Sequence, residues 1–216
     1  MTTETSAIDE AAKRLTEVIL KGDFADAARI AEELAEGQTE TNYVVDAISE
    51  TMNIVADLHE VERYTSQQVE NCERAAEKAL DAIRPKIRVE HKRTPGKVMV
   101  ASLRGDAHTF DKTLLLTMLE VGGFSAVDGG EELSPEDISH KVSSVKPDVL
   151  AIPLLTTATV EGLMNTQRRL ANQGSKTKIV AYGRGASGVP HSSGLGAVEE
   201  DSLSVLSKIA EILLVH

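Results

Sequence analysis

The chain has no tryptophan, three tyrosines and three phenylalanines, so aromatics make up 3% of its 216 residues. That leaves little to stack on bases or sugars. Its one cysteine, Cys72, excludes a disulfide within the chain, and the helical pattern around it marks a packing residue. No apolar run reaches the ~18 residues that a membrane span requires. The opening Met1-Thr2-Thr3-Glu4-Thr5 also lacks the basic-then-apolar pattern of a signal peptide. Positive charge is short as well: 23 Lys and Arg face 34 Asp and Glu, a formal net charge of −11. Nucleic acid is thereby disfavoured as the main partner, because phosphate neutralisation needs clustered Lys and Arg. An anionic membrane surface is disfavoured for the same reason. The expectation is a soluble, cytoplasmic protein with enough chain for one or two cores.

What is present divides at two prolines. Between residues 6 and 84, Ile8, Ala11, Ala12, Leu15, Val18 and Ile19 recur at three- and four-residue steps, as one buried helix face requires. Asp23 is a candidate N-cap for a second helix that buries Phe24, Ala27, Ala28, Ala31 and Leu34 and stops at Gly37. A third helix carries Val44, Ile48, Met52 and Val55. Thr65 and Gln68 have capping-box spacing, and Val69, Cys72, Ala76, Leu80 and Ile83 follow on one face. Four amphipathic helices with short links make a bundle over residues 1–84. Residues 85–95 hold Pro85, Pro95, Lys86, Arg88, Lys92 and Arg93 without a sustained apolar pattern, which reads as a solvated linker.

From 96 to 216 short apolar strands alternate with helices. The strands are Val98 to Leu103, Ser125 to Val127, Val149 to Leu154 and Ile179 to Tyr182. Ser134 and Pro135 open one helix as N-cap and first-turn proline, and Leu203, Leu206, Ile209, Ile212 and Leu213 form the last. Continuous apolar strands belong to a parallel sheet covered on both faces. The fold class expected is α/β: a four-helix bundle followed by a doubly wound parallel sheet of about five strands, its ligand at the carboxyl edge.

The loop after the first strand reads Gly105-Asp106-Ala107-His108-Thr109-Phe110-Asp111-Lys112. His108 stands where a strand ends and a helix begins, which makes it a candidate metal ligand. Asp106, two residues earlier, could accept the ring's second N–H and raise its basicity. Taken alone, a loop histidine satisfied by Asp106 with no metal is the better reading, since such bonds are ordinary. Gly183-Arg184-Gly185-Ala186-Ser187-Gly188 spells the dinucleotide fingerprint, yet Pro190, His191, Ser192, Ser193 and Gly194 follow where a helix should open. A nicotinamide or flavin site is therefore disfavoured. The stretch reads as a loop in which Arg184 could meet a cofactor amide or phosphate. No nucleophile elbow or phosphate-binding loop is present. Glu131-Glu132 reads as a solvated loop. His59, His91, His140, His191 and His216 lack metal-ligand spacing, and His59 reads as a packed residue of the third helix.

In this order, these residues resemble the cobalamin-binding proteins that serve methyltransferases. That family joins a four-helix cap, a linker and a flavodoxin-like domain. Its pattern after the first strand is Asp-x-His-x-x-Gly; Asp106 and His108 match it, and Asp111 stands where the glycine belongs. The resemblance implies that His108 replaces the cofactor's own base beneath cobalt, leaving the metal on reduction. Asp106, Ala107, Thr109, Phe110 and Lys112 would sit beside the corrinoid, with Pro153, Leu155 and Thr156 after the third strand. Tyr182, Gly183, Arg184 and Gly185 would join them from the fourth. In the cap, Met52 to Leu58 with Glu60, Glu62 and Tyr64 resembles the segment closing over cobalt's upper face, so Leu58 and Val61 are cofactor-binding candidates. The implied function is a corrinoid carrier, itself non-catalytic, shuttling a methyl group between partner methyltransferases.

The departures all fall on the family's slot for the cofactor's nucleotide tail. Asp111 replaces the glycine, Pro153-Leu154-Leu155 replaces Ser-x-Leu, and Tyr182-Gly183 replaces Gly-Gly. Pro153 offers neither hydroxyl nor N–H. Tyr182 adds bulk whose effect depends on the face it points to. Asp111 sets a carboxylate near a phosphate. The expected cofactor is a corrinoid with a different lower base or a rearranged tail. A tetrapyrrole sensor binding cobalamin or haem, or a cofactor-free remnant, are the alternatives. The methyl donor and the oligomeric state, a homodimer included, are not legible in these residues.

Overall fold

The computed structural model describes residues 3–36, 41–86, 96–106, 110–154, 157–190, 192–199 and 202–214. The chain divides into two compact units, Met1–Arg88 and Val89–His216. No helix among the described residues is long and apolar enough to cross a membrane.

The first unit contains α1 (Thr3–Leu20), α2 (Phe24–Glu36), α3 (Thr41–Glu60) and α4 (Ser66–Ile83). Its core draws Leu15 and Ile19 from α1, Ile30 and Leu34 from α2, Val44, Ile48 and Val55 from α3, and Leu80 and Ile83 from α4. Ala27 and Ala31 of α2 and Ala75, Ala76 and Ala79 of α4 are buried too, small enough to let helix backbones approach. Asp23 caps α2 through its carboxylate, which accepts the Asp26 N–H at 3.2 Å. Thr65 and Gln68 form both arms of the capping box at α4. Phe24 departs from expectation. It is 48% exposed, and the Arg74 guanidinium lies 5.3 Å from its ring centroid, where a cation–π contact replaces burial.

Two donors converge on the last carbonyl of α1. The Tyr64 hydroxyl donates to Leu20 O at 2.9 Å, and the buried Cys72 thiol lies 3.5 Å from the same oxygen. Burial, with the Glu73 charge added, pushes the Cys72 thiol up to about 11. Lys86 also differs from a solvated connector. It ends the 3-10 turn Arg84–Lys86 and reaches the carboxylates of Glu32 and Glu36 at 3.4 and 3.0 Å. Residues 87–95 lie outside the described residues.

The second unit is a five-stranded, wholly parallel sheet in the order β2-β1-β3-β4-β5. The strands are β1 (Lys97–Leu103), β2 (Ser125–Leu133), β3 (Val149–Pro153), β4 (Lys178–Tyr182) and β5 (Ala197–Glu199). Strand alternation splits their side chains between two cores. Val98, Val100, Val149, Ala151, Val180 and Tyr182 pack on one face with α5 (Phe110–Val121) and α8 (Ser202–Leu214). Met99, Ala101, Leu103, Leu150, Ile152, Ile179 and Ala181 pack on the other with α6 (Pro135–Val145) and α7 (Val160–Asn172). Ser134 caps α6 with a complete box to Asp137, and Pro135 follows in the first turn.

Three local features differ from the sequence reading. β2 continues six residues past Val127, so Glu131-Glu132 is strand, paired to β1 across register shifts after Val100 and Ala101. Gly129 permits that irregular pairing, because a Cβ there would sit 2.8 Å from Ala101 Cβ and 3.0 Å from the Val100 carbonyl. The residues after β4 wind into a short 3-10 helix, Arg184–Gly188, rather than an irregular loop. His59 is exposed rather than packed, its Nδ1 lying 2.8 Å from the Tyr64 carbonyl.

Candidate functional site

β1 and β3 are hydrogen-bonded neighbours, yet the helices that follow them cover opposite faces of the sheet. The chain therefore diverges at their carboxyl ends and leaves a crevice there, where open α/β sheets of this strand order bind ligands. The Gly105–Lys112 stretch leaves β1 at this point, and the segment after Pro153 leaves β3 beside it. Ala107, His108, Thr109, Leu155 and Thr156 lie outside the described residues. Their neighbours define the rim.

Asp106 is 4% exposed, with its backbone N–H turned back to Leu103 O at 3.1 Å. Before it, Gly105 adopts φ +89°, and a Cβ there would meet nothing within 4 Å among the described residues, which leave the rim open above β1. The Gly105 N–H faces both carboxylate oxygens of Glu132 at 3.3 and 3.4 Å, and Arg104 N–H donates to Leu133 O at 2.9 Å. The end of β2 thus braces the start of the loop. Phe110 opens α5 and is buried.

Lys112 is buried in the first turn of α5, with its Nζ 2.8 Å from Asp128 and 2.8 Å from Glu131. Burial works against its charge, but the hydrogen bonds and charges of those two carboxylates prevail and hold its pKa above the ordinary value. The sequence reading passed over Asp128 and took Glu131 for part of a solvated loop, whereas both pair with Lys112. A lysine among Phe110, Leu114 and Leu115 is the signal that called for them, since a buried ammonium needs a carboxylate partner.

Across the crevice, Tyr182 ends β4 and is fully buried against α5 and α8. Its hydroxyl donates to the Asp111 carbonyl at 3.0 Å, joining the end of β4 to the first turn of α5. Burial raises its pKa well above the ordinary tyrosine value, and the nearby charges of Asp111 and Asp106 raise it further. Pro153 pairs with Tyr182 in register, so both side chains point to the α5 and α8 face. Gly183 follows at φ +99°, where a Cβ would come within 2.8 Å of Leu154 O. Its N–H donates to Glu199 O at 3.0 Å, and the Gly185 N–H donates to Leu154 O at 2.7 Å. These bonds bring the Arg184–Gly188 turn against the end of β3, with Arg184 exposed.

Leu58 and Val61 belong to the helical unit, where Leu58 is half-buried and Val61 is 63% exposed. The turn that presents them is fixed from below, since Leu58 O accepts both the Arg63 N–H at 2.8 Å and the Tyr64 N–H at 3.0 Å.

The crevice joins an open rim to a filled interior. The Ser102 hydroxyl at the end of β1 is fully buried and has no hydrogen-bond partner among the described residues. By alternation it points to the same face as Val98 and Val100, the face that Tyr182 and Pro153 occupy.

Residues 96–199, from the start of β1 to the end of β5, match the B12 binding domain family. These residues are similar to that family over the whole of the sheet. Over 194 residues it is 25% identical to trimethylamine corrinoid protein 1 of Methanosarcina acetivorans, covering 87% of this chain and 90% of that one. The monomethylamine corrinoid protein of Methanosarcina barkeri has the same fold, with a TM-score of 0.80, 21% identity, and coverage of 94% of this chain and 99% of that one. A chain of the methanol:cobalamin methyltransferase complex MtaBC from Methanosarcina barkeri matches with a TM-score of 0.51 and 20% identity, covering 98% and 90%. The chain therefore has the fold of the monomethylamine corrinoid protein, with a helical unit before the matched residues in the sequence.

The residues at the crevice fit the two parts of such a cofactor differently. The open backbone at Gly105 and the exposed Arg184 leave room along the rim for a broad, flat group bearing amides. Below the rim, Tyr182 fills the space between sheet and α5.

Proposed function

We propose that the chain is a corrinoid carrier, holding its cofactor at the carboxyl edge of β1 and β3 and working with partner methyltransferases. The observation that carries this reading is the coincidence of the B12-binding match with a buried Asp106 at the divergence point of the sheet. When bound, a corrinoid supplies a cobalt centre able to accept and release a methyl group. What this chain would add is a ligand, a proton acceptor and a shaped rim.

His108 is the residue assigned to the metal, through one ring nitrogen. Asp106 would take the proton on the other, fixing the tautomer and strengthening the donor. Its burial supports that role, because a carboxylate held out of water gains most from a charge-assisted hydrogen bond. Lys112 serves differently. By holding Asp128 and Glu131 it ties α5 to β2, while Glu132 faces Gly105 N–H, so the loop carrying His108 springs from a braced base. Arg184, exposed at the turn after β4, would meet an amide or carboxylate at the corrin periphery. Partner methyltransferases would supply the methyl donor and acceptor sites.

Reconstitution tests the reading. The purified chain, incubated with excess corrinoid and desalted, should keep the corrin absorption bands. His108→Ala should lose the bands of imidazole-ligated cobalt while melting like the wild type. Asp106→Asn should keep the cofactor but weaken the imidazole ligation. A wild-type chain that retains no corrinoid of any kind would end the proposal.

A further inference from the structure

We infer that this chain binds a corrinoid without admitting a nucleotide tail into its sheet domain, and that Tyr182 is the excluding residue. The inference rests on the reading that a corrinoid occupies the crevice of β1 and β3. Its ground is what already fills the layer beneath the rim.

Tyr182 has no exposed surface and packs in one cluster with Leu115, Leu116 and Val205. Its ring spans from β4 to the first turn of α5, where its hydroxyl is held by the Asp111 carbonyl at 3.0 Å. Pro153, its register partner, is buried on the same face and brings no N–H toward an incoming base. A tail entering between sheet and α5 would have to expel the phenol, break its hydrogen bond and open a packed core.

Charge points the same way. A tail carries a phosphodiester, and the phenol's surroundings include the carboxylates of Asp106 and Asp111, both close enough to disfavour its ionisation. The nearest buried cation, Lys112, is already paired with Asp128 and Glu131. The remaining cations of the rim, Arg104 and Arg184, are exposed. A phosphate beneath the rim would therefore approach the negative charges of Asp106 and Asp111, and like charges repel. A corrinoid lacking the tail meets none of these barriers and needs only the open rim. The chemistry favoured is a cobinamide-type ring whose lower ligand comes from the protein.

The full chain, freed of cofactor, should be titrated with cobinamide and with cobalamin while the corrin absorption is followed. The wild type should prefer cobinamide by about 100-fold, the scale expected for displacing a buried aromatic side chain, or bind cobalamin only with its own base still on cobalt. Tyr182→Phe keeps the ring and should keep the preference. Tyr182→Ala should raise affinity for cobalamin in the base-off form and so shrink the preference for cobinamide. If that variant does not fold, the wild-type comparison and Tyr182→Phe decide. Base-off cobalamin binding the wild type as tightly as cobinamide would overturn the inference and leave the corrinoid reading standing. Binding of neither compound would instead remove the reading beneath it.

Discussion

The two faces of the sheet are built to different rules. Against α6 and α7 the strands contribute apolar side chains, among them Met99, Leu103, Leu150 and Ile152, and the buried hydroxyls of Ser139 and Thr166 donate back to carbonyls of their own helices. Against α5 and α8 the same strands carry polar atoms at their carboxyl ends. These are the Ser102 hydroxyl, without a partner among the described residues, the Tyr182 phenol and, at the start of α5, the ion-paired Lys112. A core that only had to be stable would not place a hydroxyl and an ammonium there, since each must recover its hydration through partners. The difference teaches that one face fixes the fold and the other carries the fold's constraints at the site.

The largest effect that tests this contrast comes from emptying each core in turn. Tyr182→Ala should cost about 3–5 kcal/mol and Leu163→Ala about 2–5 kcal/mol in chemical denaturation. Only the former should alter corrinoid selectivity. Equal changes in selectivity would erase the distinction between the faces.

Alkaline titration comes next. The Tyr182 phenol has a folded pKa raised well above 10.0, so above that pH the unfolded chain ionises while the folded chain does not, and stability falls as pH rises. Lys112 adds to the loss. Its folded pKa is raised above 10.5, so the pair's contribution is whole below that pH and disappears as pH climbs through the folded value. Thermal melts between neutral and strongly alkaline pH should show Tyr182→Phe losing less stability than the wild type, and an identical slope would contradict the assignment.

Smaller effects separate the polar groups. Lys112→Met keeps the stem volume and removes a desolvated charge whose partners are 56% and 42% exposed, so stability near neutral pH should stay within about 1 kcal/mol. Ser102→Ala removes a buried hydroxyl that lacks a partner among the described residues and should stabilise by up to about 1 kcal/mol. A loss of stability there would reveal a bond that the fold conceals.

Much of the architecture was legible because local rules and tertiary packing agree. The capping box at Thr65 and the N-cap at Ser134 formed as expected, and the apolar runs from Val98, Val149 and Ile179 became the inner strands. β2 was legible only in its first three residues. Its continuation, Asp128-Gly129-Gly130-Glu131-Glu132, is polar because the strand lies at the sheet edge and needs little apolar surface. That misreading hid the partners of Lys112. The side chain of Tyr182 was visible in the sequence, but its direction was not, because alternation fixes a face only once the register with β3 is known. Phe24 was misread for a related reason: periodicity marks a helix face and says nothing of an arginine from another helix shielding its first residue.

The Leu20 carbonyl, shared by Tyr64 and Cys72, gives the helical unit a reporter of its own opening. With its pKa near 11, the Cys72 thiol is ionised in only about one molecule in ten thousand at neutral pH. Alkylating reagents would therefore modify the folded chain slowly, and at a rate set by how often α1 and α4 part. Since no other cysteine exists to confuse the signal, the labelling rate measures breathing of the bundle alone. Comparing that rate with and without a bound corrinoid would show whether cargo in one half of the molecule quiets the other.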